Sequence, residues 1–265
     1  MSYKLLAIDL DDTLLNDNLE ISRTNLDALK YALDKGVKLV LCTGRPTQSV
    51  SKYIEAIEGY GSEDFAIVFN GSIITSAKGE VIFRKYINKE LLEKLVDIGR
   101  AEDVDIQIYN DRELLVEKYT NRIKDYENLS GMKAKHIEDL KNEQMSIKVL
   151  YNCTDTSKLD RIKAKIECEL KNEVFVFYSK KAYLEVLCNE GNKGIALEYL
   201  ANKLSITREQ VIAIGDSEND IYMLEFAGLA ICMKNGRETV KAIADYITQN
   251  TNNENGVAEA IYKFI

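Results

Sequence analysis

Two carboxylates two residues apart, Asp9 and Asp11, close an apolar run and are followed at once by a hydroxyl, Thr13. Tyr3 to Ile8 has the length and composition of a buried strand, so the run from Ala7 to Leu15 delivers its acids to a strand end. Continued strand geometry would set Asp9 and Asp11 on one side, with Leu10 and Asp12 on the other. Paired carboxylates beside a hydroxyl suit a divalent cation, which takes oxygen ligands and often shares its shell with a phosphate. An isolated pair of this kind equally fits a strand running out into an acidic, solvated turn, so the rest of the chain has to decide.

Three later stretches carry compatible chemistry. Thr43-Gly44-Arg45 follows an apolar-rich strand, Val37 to Cys42, and precedes Pro46. Proline favours the first helical position, glycine admits a close backbone approach, and exposed amides at a helix start favour anions. Asn192-Lys193-Gly194 opens a helix bearing Ile195, Ala196, Leu197 and Leu200. Val211 to Ile214 is a short buried strand ending in Gly215-Asp216-Ser217-Glu218-Asn219-Asp220. That acidic run could also serve only as a favourable charge at a helix N-terminus. Carboxylates gathered at close range repel unless a cation binds or they protonate, and a magnesium ion resolves that conflict.

The elements that must position these loops read as a βα alternation at both ends of the chain. Ser22 is a fitting N-cap for a helix with Leu26, Leu29, Ala32 and Leu33 at helical spacing, and Gly36 sits where a C-terminal cap belongs. Ala66 to Phe69 reads as a third strand, broken by the turn pair Asn70-Gly71, and Ile73-Ile74 with Val81 to Tyr86 reads as a hairpin. The rhythm then changes, placing a boundary near Arg84 to Ile87. From about Asn88 to Cys188, strand pairs alternate with helices, the pattern of an α+β unit with a largely antiparallel sheet. A polar segment within it holds the only histidine, His136. Its six tyrosines (Tyr109, Tyr119, Tyr126, Tyr151, Tyr178, Tyr183) suit core packing better than contact with a ring or sugar. After Cys188 the βα pattern returns, with helices from Arg237 and Gly256 at the end. The second architecture is thus inserted into the first, whose outer segments together make one parallel-sheet domain.

Bulk properties bound the partners. At 265 residues, 46% hydrophobic and 29% charged, with one proline, the chain is of the folded globular class with no flexible linker. Acidic residues outnumber basic ones 43 to 35, a net charge of −8, which argues against a duplex nucleic-acid surface. No signal peptide and no apolar run of transmembrane length is visible, and the five scattered cysteines lack a CxxC, so a cytoplasmic protein with free thiols is expected. The absence of a GxxxxGK[ST] loop and of a GxGxxG fingerprint removes the usual anchors for nucleoside triphosphates and dinucleotides.

In motif order and across its whole length, the chain resembles the haloacid dehalogenase-like (HAD) hydrolase superfamily. Asp9-Leu10-Asp11-Asp12-Thr13 matches its DxDxT signature, Thr43 its second motif, Lys193 its third and GDSEND its fourth; Asn70-Gly71 and GDSENDxxM, ending at Met223, resemble the Cof-like subfamily. The resemblance implies an α/β fold: a Rossmann-like, three-layer parallel-sheet core from residues 1–84 and 189–265, with an inserted α+β cap at 85–188 that sets substrate choice. It implies a phosphoric monoester hydrolase acting on small phosphorylated metabolites such as sugar phosphates, flavin mononucleotide or pyridoxal phosphate. Asp9 would be the nucleophile and Asp11 the general acid and base. Mg2+ would be held by Asp9, the Asp11 carbonyl and Asp216. Leu10, Thr43, Gly44, Lys193 and Asn219 would bind substrate, with Thr13 and Asp220 supporting them. The expected partner is a small phosphorylated metabolite, with no nucleic acid and no membrane, and the chain is expected as a monomer or homodimer. Arg45 receives no role. A sugar phosphomutase, whose second phosphate Lys133, Lys135, Lys180 and Lys181 could hold, and a silent phosphate-binding regulator remain the alternatives.

Overall fold

The computed structural model describes residues 2–61, 64–110 and 113–265 and divides them into two compact units, Met1–Arg84 with Asn192–Ile265, and Lys85–Gly191. The first unit opens with β1 (Leu5–Asp9), α1 (Arg23–Asp34), β2 (Lys38–Cys42), α2 (Thr47–Ala56), β3 (Phe65–Val68), β4 (Ile73–Ser76) and β5 (Val81–Arg84). Every residue of β1 is buried, as an unbroken apolar run must be when both faces of a parallel sheet are covered. The Ser22 hydroxyl caps α1 by accepting from the Asn25 amide at 3.1 Å, and Gly36 takes φ +81° past its end. Pro46 stands one place earlier than expected: it is the extended residue before α2, at ψ 158°, and not the first helical one.

The second unit comprises β6 (Ile87–Asn88), α3 (Lys89–Ala101), β7 (Asp105–Tyr109), β8 (Leu114–Val116), α4 (Asn121–Ser130), β9 (Ala134–His136), β10 (Met145–Ser146), β11 (Lys148–Asn152), α5 (Thr156–Glu169), β12 (Val174–Lys180) and β13 (Tyr183–Cys188). Its six-stranded sheet runs β12-β13-β11-β7-β8-β9 and is antiparallel except for the β8–β9 pair. One sheet face, with Ile106, Ile108, Val149, Leu184 and Val186, packs with apolar residues of α3 and α5 into one core. The segment read from sequence as merely polar contains α4 and β9. Its helix carries few apolar residues, and only Ile123, Tyr126 and Glu127 are buried, so no periodic apolar stripe announces it.

The first unit resumes with α6 (Lys193–Lys203), β14 (Val211–Gly215), α7 (Ile221–Phe226), β15 (Leu229–Cys232), α8 (Glu238–Lys241), β16 (Tyr246–Ile247) and α9 (Gly256–Phe264). Its sheet order is β16-β15-β14-β1-β2-β3-β4-β5, parallel from β16 to β3 and antiparallel through β4 and β5. Helices α6 and α7 contribute Ala196, Leu197, Leu200, Met223 and Leu224 to a core with Leu5, Ala7, Val40 and Ala213 of the sheet, while α1 packs with α9. The two-residue β16 is too short to have carried a strand pattern. Chain order reverses between β1 and β14, and ligands of open α/β sheets bind outside the carboxyl ends of strands at such a switch point. No helix among the described residues is long and apolar enough to cross a membrane.

Candidate active site

The carboxyl end of β1 is the centre. The chain leaves the strand at Asp9 and enters a tight turn over Leu10–Leu14, closed by the Leu15 amide donating to the Leu10 carbonyl at 2.9 Å. Asp12 takes φ +60° inside it, and Asn235 Nδ2 donates to the Asp12 carbonyl at 2.7 Å. The strand alternation expected to put Asp9 and Asp11 on one side therefore does not continue. Asp9 is buried, whereas the Asp11 side chain is 46% exposed and its two oxygens are bound by Arg45, Nε at 2.9 Å and Nη2 at 2.6 Å. Leu10 is fully buried in the core, so only its backbone could serve a ligand.

Lys193, fully buried at the start of α6, donates to Asp9 Oδ1 at 2.5 Å and to Asp220 Oδ1 at 2.6 Å. Asp220 spends its other oxygen on the amides of Asp216 and Ser217, each at 3.0 Å, which folds the GDSEND loop back on itself. That closure needs Gly215, because a Cβ there would lie 2.6 Å from the Asp220 Cβ. Thr13 donates its hydroxyl to Asp216 Oδ1 at 2.8 Å, tying the first motif to the fourth. Thr43 is buried at the end of β2, and its hydroxyl oxygen accepts from the Arg45 amide at 3.1 Å. Asn219 donates to Asn70 Oδ1 at 2.8 Å. The structure thus brings Asp9, Asp216, Asp220, Lys193 and Thr13 into one bonded group. The Thr43-Gly44-Arg45 loop and Asn219 border it, and Asp11 is held apart by Arg45.

The group gathers more carboxylate than ammonium. Oxygens of Asp9, Asp216 and Asp220 all lie within 4.8 Å of one another, against one ammonium. Burial pushes the Asp9 carboxyl well above the ordinary range; Lys193 pulls it back, while Asp220, Asp216 and Asp11 raise it further. Asp216 is pushed up to about 7, chiefly by burial and then by Asp220, although the Thr13 bond works in the other direction. Burial alone would pull Lys193 down, but Asp220 and Asp9 outweigh it and hold the ammonium above its usual range. Excess negative charge on an all-oxygen donor set fits a hard divalent cation. Among the described residues the carboxylates grouped closely enough to hold it are Asp9, Asp216 and Asp220, and both Asp220 oxygens also accept hydrogen bonds.

A family model described as haloacid dehalogenase-like hydrolase matches residues 6–261. The chain belongs to that family. Two Bacillus subtilis relatives of this HAD hydrolase are named 5-amino-6-(5-phospho-D-ribitylamino)uracil phosphatases. YcsE is 32% identical over 100% of this chain and 97% of its own, and YwtE is 30% identical over 96% of each. A crystal structure of a haloacid dehalogenase-like hydrolase from Bacteroides thetaiotaomicron superposes with a TM-score of 0.88 at 32% identity, covering 100% of both chains. The chain is a phosphatase of this family.

Sequence reasoning left two contributors to this HAD phosphatase unassigned. Arg45 lay in the right loop, but its grip on Asp11 depends on β1 and β2 being neighbours. Asn70 was read as half of a turn pair and as a mark of the Cof-like resemblance, with no role of its own. The lone His136 is exposed on β9, far in sequence from every motif. Of the four lysines named for a second phosphate, Lys133 and Lys135 are exposed and pair with Glu127 and Glu113.

Proposed function

We propose that this HAD phosphatase hydrolyses small phosphomonoesters through an aspartyl-phosphate on Asp9, with magnesium as its cation. The observation that carries the reading is the Asp9 carboxylate at the end of the central strand, held at 2.5 Å by a buried lysine and lying beside Asp216. In the first step an Asp9 oxygen bonds to phosphorus, the bond from phosphorus to the leaving oxygen breaks, and Asp11 gives that oxygen a proton. In the second, water attacks phosphorus, its proton goes to Asp11, and the Asp9–phosphorus bond breaks to release inorganic phosphate. Asp11 must exchange its Arg45 partner for the leaving oxygen before it can act.

Lys193, Thr43, the Gly44 amide and Asn219 bind the phosphoryl oxygens, and Asp220 fixes Lys193 against Asp9. Asp9, the Asp11 carbonyl and Asp216 would hold magnesium, which when bound would supply positive charge against the repulsion between a carboxylate and a phosphate dianion. Catalysis of monoester hydrolysis can approach ~10²¹-fold, so no single group accounts for it and the charges must be set in advance. Residues 85–188 act as the cap that selects the leaving group. The names of the two relatives put 5-amino-6-(5-phospho-D-ribitylamino)uracil first on the substrate panel, beside sugar phosphates, flavin mononucleotide and pyridoxal phosphate.

The test is phosphate release from that panel, with magnesium and with chelator, for the wild type and Asp9→Asn. Magnesium-dependent release that falls by at least about 10⁴-fold in the variant is expected. Comparable turnover by Asp9→Asn, or full turnover in chelator, would sink the corresponding part of the mechanism.

A further inference from the structure

The turn after β3 does more than reverse the chain. Phe69, Asn70 and Gly71 take φ of +50°, +56° and +112° in succession. For a phenylalanine this is a costly conformation, and it persists only where the surroundings enforce it. Here they do. The Phe69 amide donates to the Arg45 carbonyl at 3.1 Å and the Asn70 amide to the Thr43 carbonyl at 2.9 Å, so the turn is docked on the Thr43-Gly44-Arg45 loop. The Asn70 side-chain amide lies over the Gly44 α-carbon: a Cβ at Gly44 would sit 2.9 Å from its Nδ2 and 3.0 Å from its Oδ1. A Cβ at Gly71 would collide with the carbonyl of Asn192, whose side chain caps α6 by accepting from the Ile195 amide at 2.9 Å. One buried residue, Asn70, thus sits where the Gly44 loop, the start of α6 and the GDSEND loop meet.

Its side-chain bond shows what it does there. Asn70 Oδ1 accepts from Asn219 Nδ2 at 2.8 Å, while Ser217 donates its hydroxyl to Asn219 Oδ1 at 2.8 Å. Between them these two partners fix both ends of the Asn219 amide, and with it the direction of the remaining Nδ2 hydrogen. We propose that Asn70 is a positioning residue of the phosphate site: it sets the orientation of the Asn219 amide and, through its contact with Gly44, the height of that loop. The inference rests on the assignment of Gly44 and Asn219 to phosphate made above.

Asn70→Gly tests it, since glycine accepts the positive φ and removes only the side chain. Binding of inorganic phosphate in magnesium buffer is measured by calorimetry for the wild type, Asn70→Gly, Asn219→Ala and the double variant, beside hydrolysis of the best substrate and a thermal melt. Each single variant is expected to weaken phosphate about tenfold, the scale of one well-placed hydrogen bond. The loss should fall on KM more than on kcat. The double variant should bind no more than about twofold weaker than Asn219→Ala, because partners in one chain of contacts do not add. Unchanged phosphate affinity in Asn70→Gly, or losses that multiply in the double variant, overturns the proposal. A wild type that binds phosphate but hydrolyses nothing overturns the phosphatase mechanism alone, and the same titrations still decide Asn70. A wild type that binds no phosphate overturns both.

Discussion

Each unit of this protein buries a lysine beside carboxylate, and the two burials differ in kind. Lys148 lies within β11, at the centre of the six-stranded sheet, 3.1 Å from Glu185 of the neighbouring β13 and over the Tyr109 ring at 4.7 Å. One ammonium meets one carboxylate. Burial pulls Lys148 down, and Glu185 and Tyr126 together outweigh it to leave the ammonium above its ordinary range. Lys193 lies at the start of a helix, bridging Asp9 and Asp220, with Asp216 alongside. There the carboxylates are in excess and two of them are held high by burial. A balanced pair in mid-sheet is a structural element. An unbalanced group at the strand ends of a switch point is poised for added positive charge, and that imbalance separates a site from a core.

The largest expected effects break this comparison directly. Lys193→Met removes the ammonium that bridges Asp9 and Asp220, beside Asp216, so turnover should fall at least about 10³-fold. Stability should fall by about 3–5 kcal/mol, the cost of leaving buried charge unpaired. Lys148→Met alone should cost about as much stability for the same reason, yet Lys148→Met with Glu185→Leu should recover most of it, since a buried pair exchanged for apolar groups is often neutral or stabilising. Denaturant melts and phosphate release on the three variants check both statements. A double variant no more stable than Lys148→Met would show that the Lys148–Glu185 pair has a role beyond its own charge balance.

A smaller effect follows from the raised carboxyls. A carboxyl that holds its proton more tightly when folded adds stability that is complete below the ordinary carboxylate range and is lost as pH rises through its folded value. With Asp216 at about 7 and Asp9 shifted the same way, the metal-free protein should lose stability between about pH 4 and 7, on the order of a few kcal/mol at most. Because a cation needs the ionised forms, magnesium should raise the melting temperature at pH 8 and do little at pH 5. Melts in chelator and in magnesium at both values read this. An equal magnesium effect at the two would argue that the cation binds elsewhere.

How much of this was legible beforehand follows from what each residue depends on. Leu5–Asp9 is an apolar run ending in acid and Val211–Gly215 one with acid directly after it, so strand, burial and site position were all written locally. The Ser22 cap and the left-handed Gly36 were equally local. What could not be read depends on contacts between distant segments. Asp11 leaves the expected side because the backbone turns at Leu10, and it then meets a guanidinium 34 residues away. Asn70 and Gly71 look like any turn pair until the turn is seen docked on Arg45, Gly44 and Asn192. Helix α4 escaped because its buried face is small, and β16 because two residues carry no period.

Arg45 gives the finest test of the difference between the two buried lysines, since it belongs to the site without joining its excess charge. Its backbone is pinned at both ends, the amide to the Thr43 hydroxyl and the carbonyl to the Phe69 amide, and its guanidinium lies 5.5 Å from the Tyr53 ring centroid. From that fixed base it grips both oxygens of Asp11, a planar fork that a lysine cannot reproduce. Arg45→Lys keeps the charge and loses the fork, so fold and magnesium response should persist while kcat changes by about three- to tenfold. The direction is informative. A fall means that Arg45 aims Asp11 for its work; a rise means that releasing Asp11 from Arg45 limits the wild type. Unchanged kcat and KM would make the ion pair a bystander and return Arg45 to the surface charges, where exposed pairs contribute little.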